Sequence, residues 1–133
     1  MNLSIIGTGY VGLVTGACFA KLGHTITCVD IDPEKIQKIN NSVSPIYEEG
    51  LDGLLFTYKD KITATIDYQT ALMNTTITFI CVGTPSMKNG TIDLSYLKEA
   101  TKQIATILKN KNSWHLVVVK STVLPGTTHN IVL

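Results

Sequence analysis

Charge is scarce in this 133-residue sequence: 11 basic and 10 acidic side chains make up 16% of it and leave a formal net charge of +1. Neither a basic stripe nor an acidic block breaks the pattern, so the footprint of a nucleic-acid or membrane-surface binder is missing. No apolar run approaches the ~18 residues of a membrane span. The sequence opens directly on a strand pattern, so no leader is expected and the cytoplasm is the expected location. Only three cysteines occur, Cys18, Cys28 and Cys81. An odd number without metal-like spacing argues against a disulfide framework or a metal site. All three lie in apolar segments and are expected to be buried free thiols. Nothing near Cys81 in sequence would activate it as a nucleophile. His24, His115 and His129 are isolated near element ends without a carboxylate partner and read as surface or capping residues. Lys109-Asn110-Lys111 closes a helix, where cations suit the dipole.

What is present is an apolar, patterned chain, 44% hydrophobic with a mean hydropathy of +0.22. That suits one α/β domain, residues 1–133, built on a buried parallel sheet. The first thirty residues are the most informative. The run Met1 to Ile6 reads as a strand, Gly7-Thr8-Gly9-Tyr10-Val11-Gly12 follows at once, and a helical pattern runs to about Leu22. Thr25 to Val29 reads as a second strand, ending at Asp30. A bare G-x-G-x-x-G is weak, but between a strand and a helix, with an acid after the next strand, it marks a dinucleotide site. Gly7 would permit the tight turn, Gly9 would leave room for a pyrophosphate, and Gly12 would let the helix pack closely. The helix starting at Tyr10 would aim its free N–H groups and positive dipole end at that anion. Asp30, 18 residues beyond Gly12, would accept hydrogen bonds from the adenine ribose and repel a 2′-phosphate, which favours NAD over NADP. The competing reading is an ordinary tight turn with a strand-end acid.

Further along, Asp32-Pro33-Glu34-Lys35 is a helix start with Asp32 as cap. Lys35 in its first turn either reaches the ribose or adenine edge or is a solvated surface lysine. A helix over Leu51 to Tyr58, a strand over Ile62 to Thr65 and a short helix from Asp67 to Leu72 follow, then a near-continuous apolar strand over Thr76 to Val82. After that strand, the hydroxyl of Thr84 in Gly83-Thr84-Pro85 either touches the cofactor or stabilises the turn. Asp93 or Ser95 caps a helix over Tyr96 to Leu108, Leu116 to Val119 is the next strand, and Lys120-Ser121-Thr122 leaves it. The expectation is a doubly wound (Rossmann) parallel sheet with helices on both faces, stopping before the end of its domain. Right-handed crossovers would set the Gly7 turn, Asp30, Thr84 and Ser121-Thr122 along one sheet edge.

Six motifs carry a family resemblance: Gly7 to Gly12, Val29-Asp30-Ile31-Asp32, Pro45-Ile46-Tyr47-Glu48-Glu49-Gly50-Leu51, Val82-Gly83-Thr84-Pro85, Asp93-Leu94-Ser95 and Lys120-Ser121-Thr122-Val123. In this order they resemble the UDP-glucose/GDP-mannose dehydrogenase family over essentially the whole chain. The resemblance implies an enzyme that oxidises a nucleotide-sugar C6 alcohol to a carboxylate with two NAD⁺ through a cysteine-bound thioester, with UDP-glucose the expected substrate. It also implies that Val11, Asp30, Lys35, Thr84 and Thr122 contact NAD, and that Thr122 sits near the reacting carbon as an auxiliary group. The family's catalytic cysteine, lysine and aspartate fall in later parts of its chain, so no certain catalytic residue and no metal are expected here. The full-length protein is expected to be a homodimer with a nucleotide-sugar substrate and neither nucleic-acid nor membrane partners. Glu49 and Leu124-Pro125 depart from the family's usual Pro and Pro-Val, in loops. UDP-N-acetylmannosamine and GDP-mannose remain alternative substrates. A hydroxy-acid or 6-phosphogluconate type dehydrogenase is disfavoured by the Tyr47-Glu48 and Lys120-Ser121-Thr122 segments, as is a methyltransferase by the length of the match. A non-catalytic NAD-sensing module stays open.

Overall fold

A computed structural model describes Met1 to Leu133. Five parallel strands, β1 (Asn2–Ile6), β2 (Thr25–Val29), β3 (Ile62–Thr65), β4 (Ile77–Ile80) and β5 (Leu116–Val119), form one sheet in the order β3-β2-β1-β4-β5. The chain first winds outward from β1 through β2 to β3, then returns to the other side of β1 for β4 and β5. The reversal between β1 and β4 is a topological switch point, where a doubly wound sheet opens a crevice beyond its carboxyl ends. The expected all-parallel architecture is therefore the observed one.

β1 is central, and Leu3, Ser4, Ile5 and Ile6 are all buried, as a strand covered on both faces demands. On one face, α1 (Tyr10–Lys21), α2 (Pro33–Asn40) and α3 (Leu51–Thr57) close a core of Leu3, Ile5, Leu13, Ile26, Ile39, Leu51 and Leu55. On the other, α4 (Tyr68–Met73) and α5 (Ser95–Leu108) cover Ile6, Val29, Ile80, Leu72, Leu97 and Ile104. Small residues set how close α1 comes: a methyl group at Gly16 would lie 3.3 Å from Ile26 Cγ2 and 3.4 Å from Ile5 Cγ1. Asn40, at the end of α2, satisfies the outer edge of the sheet. Its amide donates to Ala64 O at 2.9 Å and accepts from Ala64 N at 2.8 Å, a pairing that blunts an open strand edge.

Five expectations need correction, the fifth concerning His115. Cys18 is exposed, whereas Cys28 and Cys81 are buried. α1 buries Gly12, Leu13, Gly16, Ala17 and Ala20, so Cys18 falls on its outer side together with the exposed Val11. β4 is shorter than its apolar run, because Cys81 and Val82 already turn into the loop after the strand. Ser95 does not cap α5 with its side chain. Instead Asp93 Oδ1 accepts the Ser95 N–H at 2.8 Å. Lys111 does not serve the end of its own helix: its ammonium reaches the Leu72 carbonyl at 2.5 Å and the Thr75 carbonyl, closing the end of α4.

The same ammonium lies 3.0 Å from His115 Nδ1. An ammonium can only donate, so Nδ1 accepts and Nε2 carries the proton, which it donates to Thr78 Oγ1 at 2.7 Å. Thr78 continues to Ser4 Oγ at 2.6 Å, and Ser4 lies 3.1 Å from Thr75 Oγ1. His115 is therefore not isolated; it joins two strands and a helix end near the amino-terminal edge of the sheet. Burial and the Lys111 charge both hold its pKa below the ordinary value. No helix is long and apolar enough to cross a membrane.

Candidate functional site

The turn after β1 is shaped by two close approaches. Gly7 has φ +95°, and a methyl group there would meet the Cys81 carbonyl oxygen at 2.9 Å. At Gly12 a methyl group would lie 1.8 Å from the carbonyl oxygen of Gly7. Gly12 thus packs against the ends of the first and fourth strands, with Cys81 Cβ 3.1 Å from such a methyl, and Gly16 adds a second close contact one turn further along the helix. At Gly9 a methyl group would meet nothing within 4 Å, so the space above the turn is open there.

α1 begins at Tyr10 with no side-chain cap. Leu13 N donates to Gly9 O at 3.0 Å, while the N–H groups of Tyr10, Val11 and Gly12 find no acceptor in the protein. Such a helix start presents free donors and the positive end of a dipole. Tyr10 and Val11 border a cleft of about 760 Å³ at the carboxyl edge of the sheet, a volume typical of cofactor sites. Gly7, Gly9, Tyr10, Val11, Asp30, Lys35, Thr84 and Thr122 all line it, so one wall after another is built from residues singled out in the sequence. Gly12 stands behind the turn rather than on the wall.

Asp30 closes one end. Its Oδ2 accepts the Thr8 hydroxyl at 2.5 Å and the Thr8 N–H at 2.8 Å, while Oδ1 accepts the Asp32 N–H at 3.1 Å. Lys35 Nζ lies 4.0 Å from Oδ2. Burial alone would raise the pKa of this carboxyl, but the two Thr8 bonds, the Asp32 bond and the Lys35 charge outweigh it and hold the pKa below the ordinary value. The group is a fixed anion. Asp32 is a cap, its Oδ1 accepting from Glu34 N at 2.9 Å.

At the other end, Thr84 Oγ1 donates to the Thr122 carbonyl at 2.7 Å, joining the loops that leave β4 and β5. Ser121 Oγ donates to Val82 O at 2.7 Å and adds a second tie between them. The Thr84 hydroxyl therefore does what a turn-stabilising threonine does and still lines the cleft. Cys81 lines the floor, but burial pushes its thiol up to about 11 against the pull of Lys120. It stays protonated near neutral pH and is not an activated nucleophile.

Ser121, expected on this edge, lines the cleft too, whereas Thr8, Ile31, Tyr68, Tyr96 and Glu99 are wall residues that the sequence did not single out. Tyr68 had a usable signal, since it follows the Asp67 cap just past a strand, as Lys35 follows Asp32. Burial, and then the charges of Asp30 and Glu99, raise the pKa of its phenol.

The open Gly9, the free N–H groups and the fixed Asp30 fit a dinucleotide, with the pyrophosphate over the turn. No arginine occurs in the sequence, so the usual receiver of a 2′-phosphate is missing. Comparison with known proteins agrees. GDP-mannose 6-dehydrogenase of Pseudomonas aeruginosa is 43% identical over 100% of this chain and 31% of its own length. UDP-glucose 6-dehydrogenase of Haloferax volcanii is 44% identical over 99% of this chain, again 31% of its own length. Among solved structures, a ternary complex of the Pseudomonas aeruginosa GDP-mannose dehydrogenase superposes with a TM-score of 0.97 at 43% identity, covering 99% of this chain and 31% of that one. A UDP-glucose dehydrogenase from Pyrobaculum islandicum gives 0.93 at 38% identity, covering 98% and 31%. This chain thus spans about a third of the length of the relatives it matches. The model of the NAD-binding domain of one family matches residues 1–133, and so the chain belongs to the UDP-glucose/GDP-mannose dehydrogenase family, with NAD as its cofactor.

Proposed function

We propose that this chain is the part of a nucleotide-sugar 6-dehydrogenase that holds NAD and presents it to the sugar. The observation that carries the reading is the uncapped start of α1 set beside the fixed carboxylate of Asp30 in one cleft. The N–H groups of Tyr10, Val11 and Gly12 would bind the pyrophosphate, with Gly7 and Gly9 shaping the turn beneath it. Asp30 would accept from the adenine ribose, and Lys35 would lie beside it. Thr84 and Thr122, tied to each other across two loops, would border the nicotinamide half. Bound there, NAD supplies the hydride acceptor. The hydroxyl of Thr122 would then lie nearest the sugar as an auxiliary group.

Titration of NAD into the protein tests the site: binding is expected, and Asp30→Ala should weaken it by roughly tenfold or more. Unchanged affinity in that variant would remove Asp30 from the site. The substrate we favour is UDP-glucose, oxidised to UDP-glucuronate in two NAD-dependent steps by the longer protein. A second reading, GDP-mannose, is supported by the 0.97 superposition on a GDP-mannose dehydrogenase. NADH formation by the longer protein, with each sugar nucleotide offered separately, decides between them. The 133-residue chain alone is expected to oxidise neither. The longer protein is further proposed to be a cytoplasmic homodimer, which size-exclusion chromatography and cell fractionation would check.

A further inference from the structure

The second residue of the glycine turn is usually left unspecified in this motif, yet Thr8 is fully buried and touches the Asp30 carboxylate twice. Its hydroxyl and its N–H converge on the same oxygen of Asp30, at 2.5 and 2.8 Å. The Asp32 N–H holds the other oxygen at 3.1 Å. A carboxylate offers about four lone-pair positions, and three donors already fill most of them. The carboxylate can turn about its own axis only by breaking bonds at both oxygens.

We infer that Thr8 is a positioning residue for cofactor choice, holding Asp30 ionised and in one orientation so that the site accepts a ribose hydroxyl and refuses a 2′-phosphate. The inference rests on the NAD site described above and adds to it a residue that acts through Asp30. A free carboxylate could swing toward Lys35, 4.0 Å away, and neutralise itself against that ammonium. Lys35 would shield the charge that excludes a phosphate, and the acceptor facing the ribose would be lost. With no arginine in the sequence to receive a phosphate, discrimination would follow how firmly the Asp30 carboxylate is held.

The test compares Thr8→Val, which keeps shape and backbone N–H but removes the hydroxyl, with Thr8→Ser, which keeps the hydroxyl. Dissociation constants for NAD and NADP are measured for each by calorimetry. Thr8→Val should weaken NAD about tenfold, the worth of one hydrogen bond to a charged group, and NADP far less. The ratio between the two cofactors should therefore fall, and Thr8→Ser should restore it to within about threefold of the original protein. A residue that merely packs the turn would shift both cofactors equally, so an unchanged ratio in Thr8→Val overturns the inference, as does failure of the serine variant to restore it. Should the unsubstituted protein not bind NAD, the cofactor site itself is wrong. The role of Thr8 is then read from the carboxyl carbon resonance of Asp30 in the free protein. Its titration midpoint should rise in Thr8→Val and return in Thr8→Ser; a midpoint that stays put sinks the idea. If the valine variant does not fold, Thr8→Ala removes the same hydroxyl and enters the same comparison.

Discussion

The two edges of the sheet are both rich in polar groups and handle them in opposite ways. At the amino-terminal edge, Lys111, His115, Thr78, Ser4 and Thr75 form a chain in which each donor meets an acceptor within the protein. At the carboxyl edge, the N–H groups of Tyr10, Val11 and Gly12 are left without a protein partner, and Gly9 keeps the space above them open. Buried polar groups are costly when unpaired. An edge that pairs all of its donors therefore contributes to stability, and one that withholds them keeps donors for a ligand. Changes at the first edge should cost stability and spare NAD, and changes at the second should do the reverse, except where the backbone itself is held.

That exception gives the largest expected effect. Gly12→Ala places a methyl group 1.8 Å from the Gly7 carbonyl, a clash with backbone that cannot turn aside. Urea denaturation should show a loss of about 3 kcal/mol, and NAD binding should vanish with the turn. Gly9→Ala, where a methyl group meets nothing, should leave stability within about 1 kcal/mol while weakening NAD at least tenfold. If the two alanines behaved alike, the glycines of the turn would not be divided between holding it and clearing it.

Next in size is Lys111→Met, which leaves the Leu72 and Thr75 carbonyls and His115 Nδ1 without their donor. The expected cost is about 2 kcal/mol by urea midpoint, with NAD affinity unchanged. A smaller effect is the pH dependence carried by His115. Its pKa in the fold is depressed below the ordinary 6.5 by burial and by Lys111, so the unfolded chain binds the proton more readily. The stability this neutral ring contributes is complete above about pH 6.5 and declines as pH falls from there toward the folded value. His115→Gln should flatten that slope, measured as unfolding midpoint against pH. Asp30 contributes in a separate and more acidic window, below its ordinary 3.8, because its pKa is also depressed but it is a carboxyl. Smallest is a test with no stability effect: a thiol reagent on the native protein should modify Cys18 quickly. Cys28, whose thiol burial pushes up to about 12, and Cys81, at about 11, should react only on unfolding.

Much of the ligand edge was legible in the sequence because its signals are local. A strand, a glycine turn and a helix are neighbours in the chain, and right-handed crossovers bring Asp30, Thr84 and Thr122 to the same edge without further information. The partner of Asp30 was not legible, because the motif specifies glycines by their missing side chains and leaves the residue between them free. The opposite edge was opaque for another reason. Ser4 and Thr78 meet only through the register that pairs them across β1 and β4, and Lys111 reaches a helix end 39 residues back in the chain. Cys18 was misplaced because α1 is apolar on its outer side too, where Val11 and Leu22 are exposed. Periodicity in such a helix does not tell the two sides apart.

The uncapped start of α1 has a consequence for how this protein would look in a mutational survey. Its ligand-facing donors belong to the main chain, and replacing Tyr10 or Val11 with another side chain deletes none of them. A scan through the turn would score both positions as tolerant and assign importance to Gly7, Gly9, Gly12 and Thr8, whose replacement disturbs the turn or the space above it. Loss-of-function data would therefore outline the turn and leave the donor surface at Tyr10 and Val11 blank. Replacing single amide linkages with esters, which removes one N–H at a time, would map that surface directly.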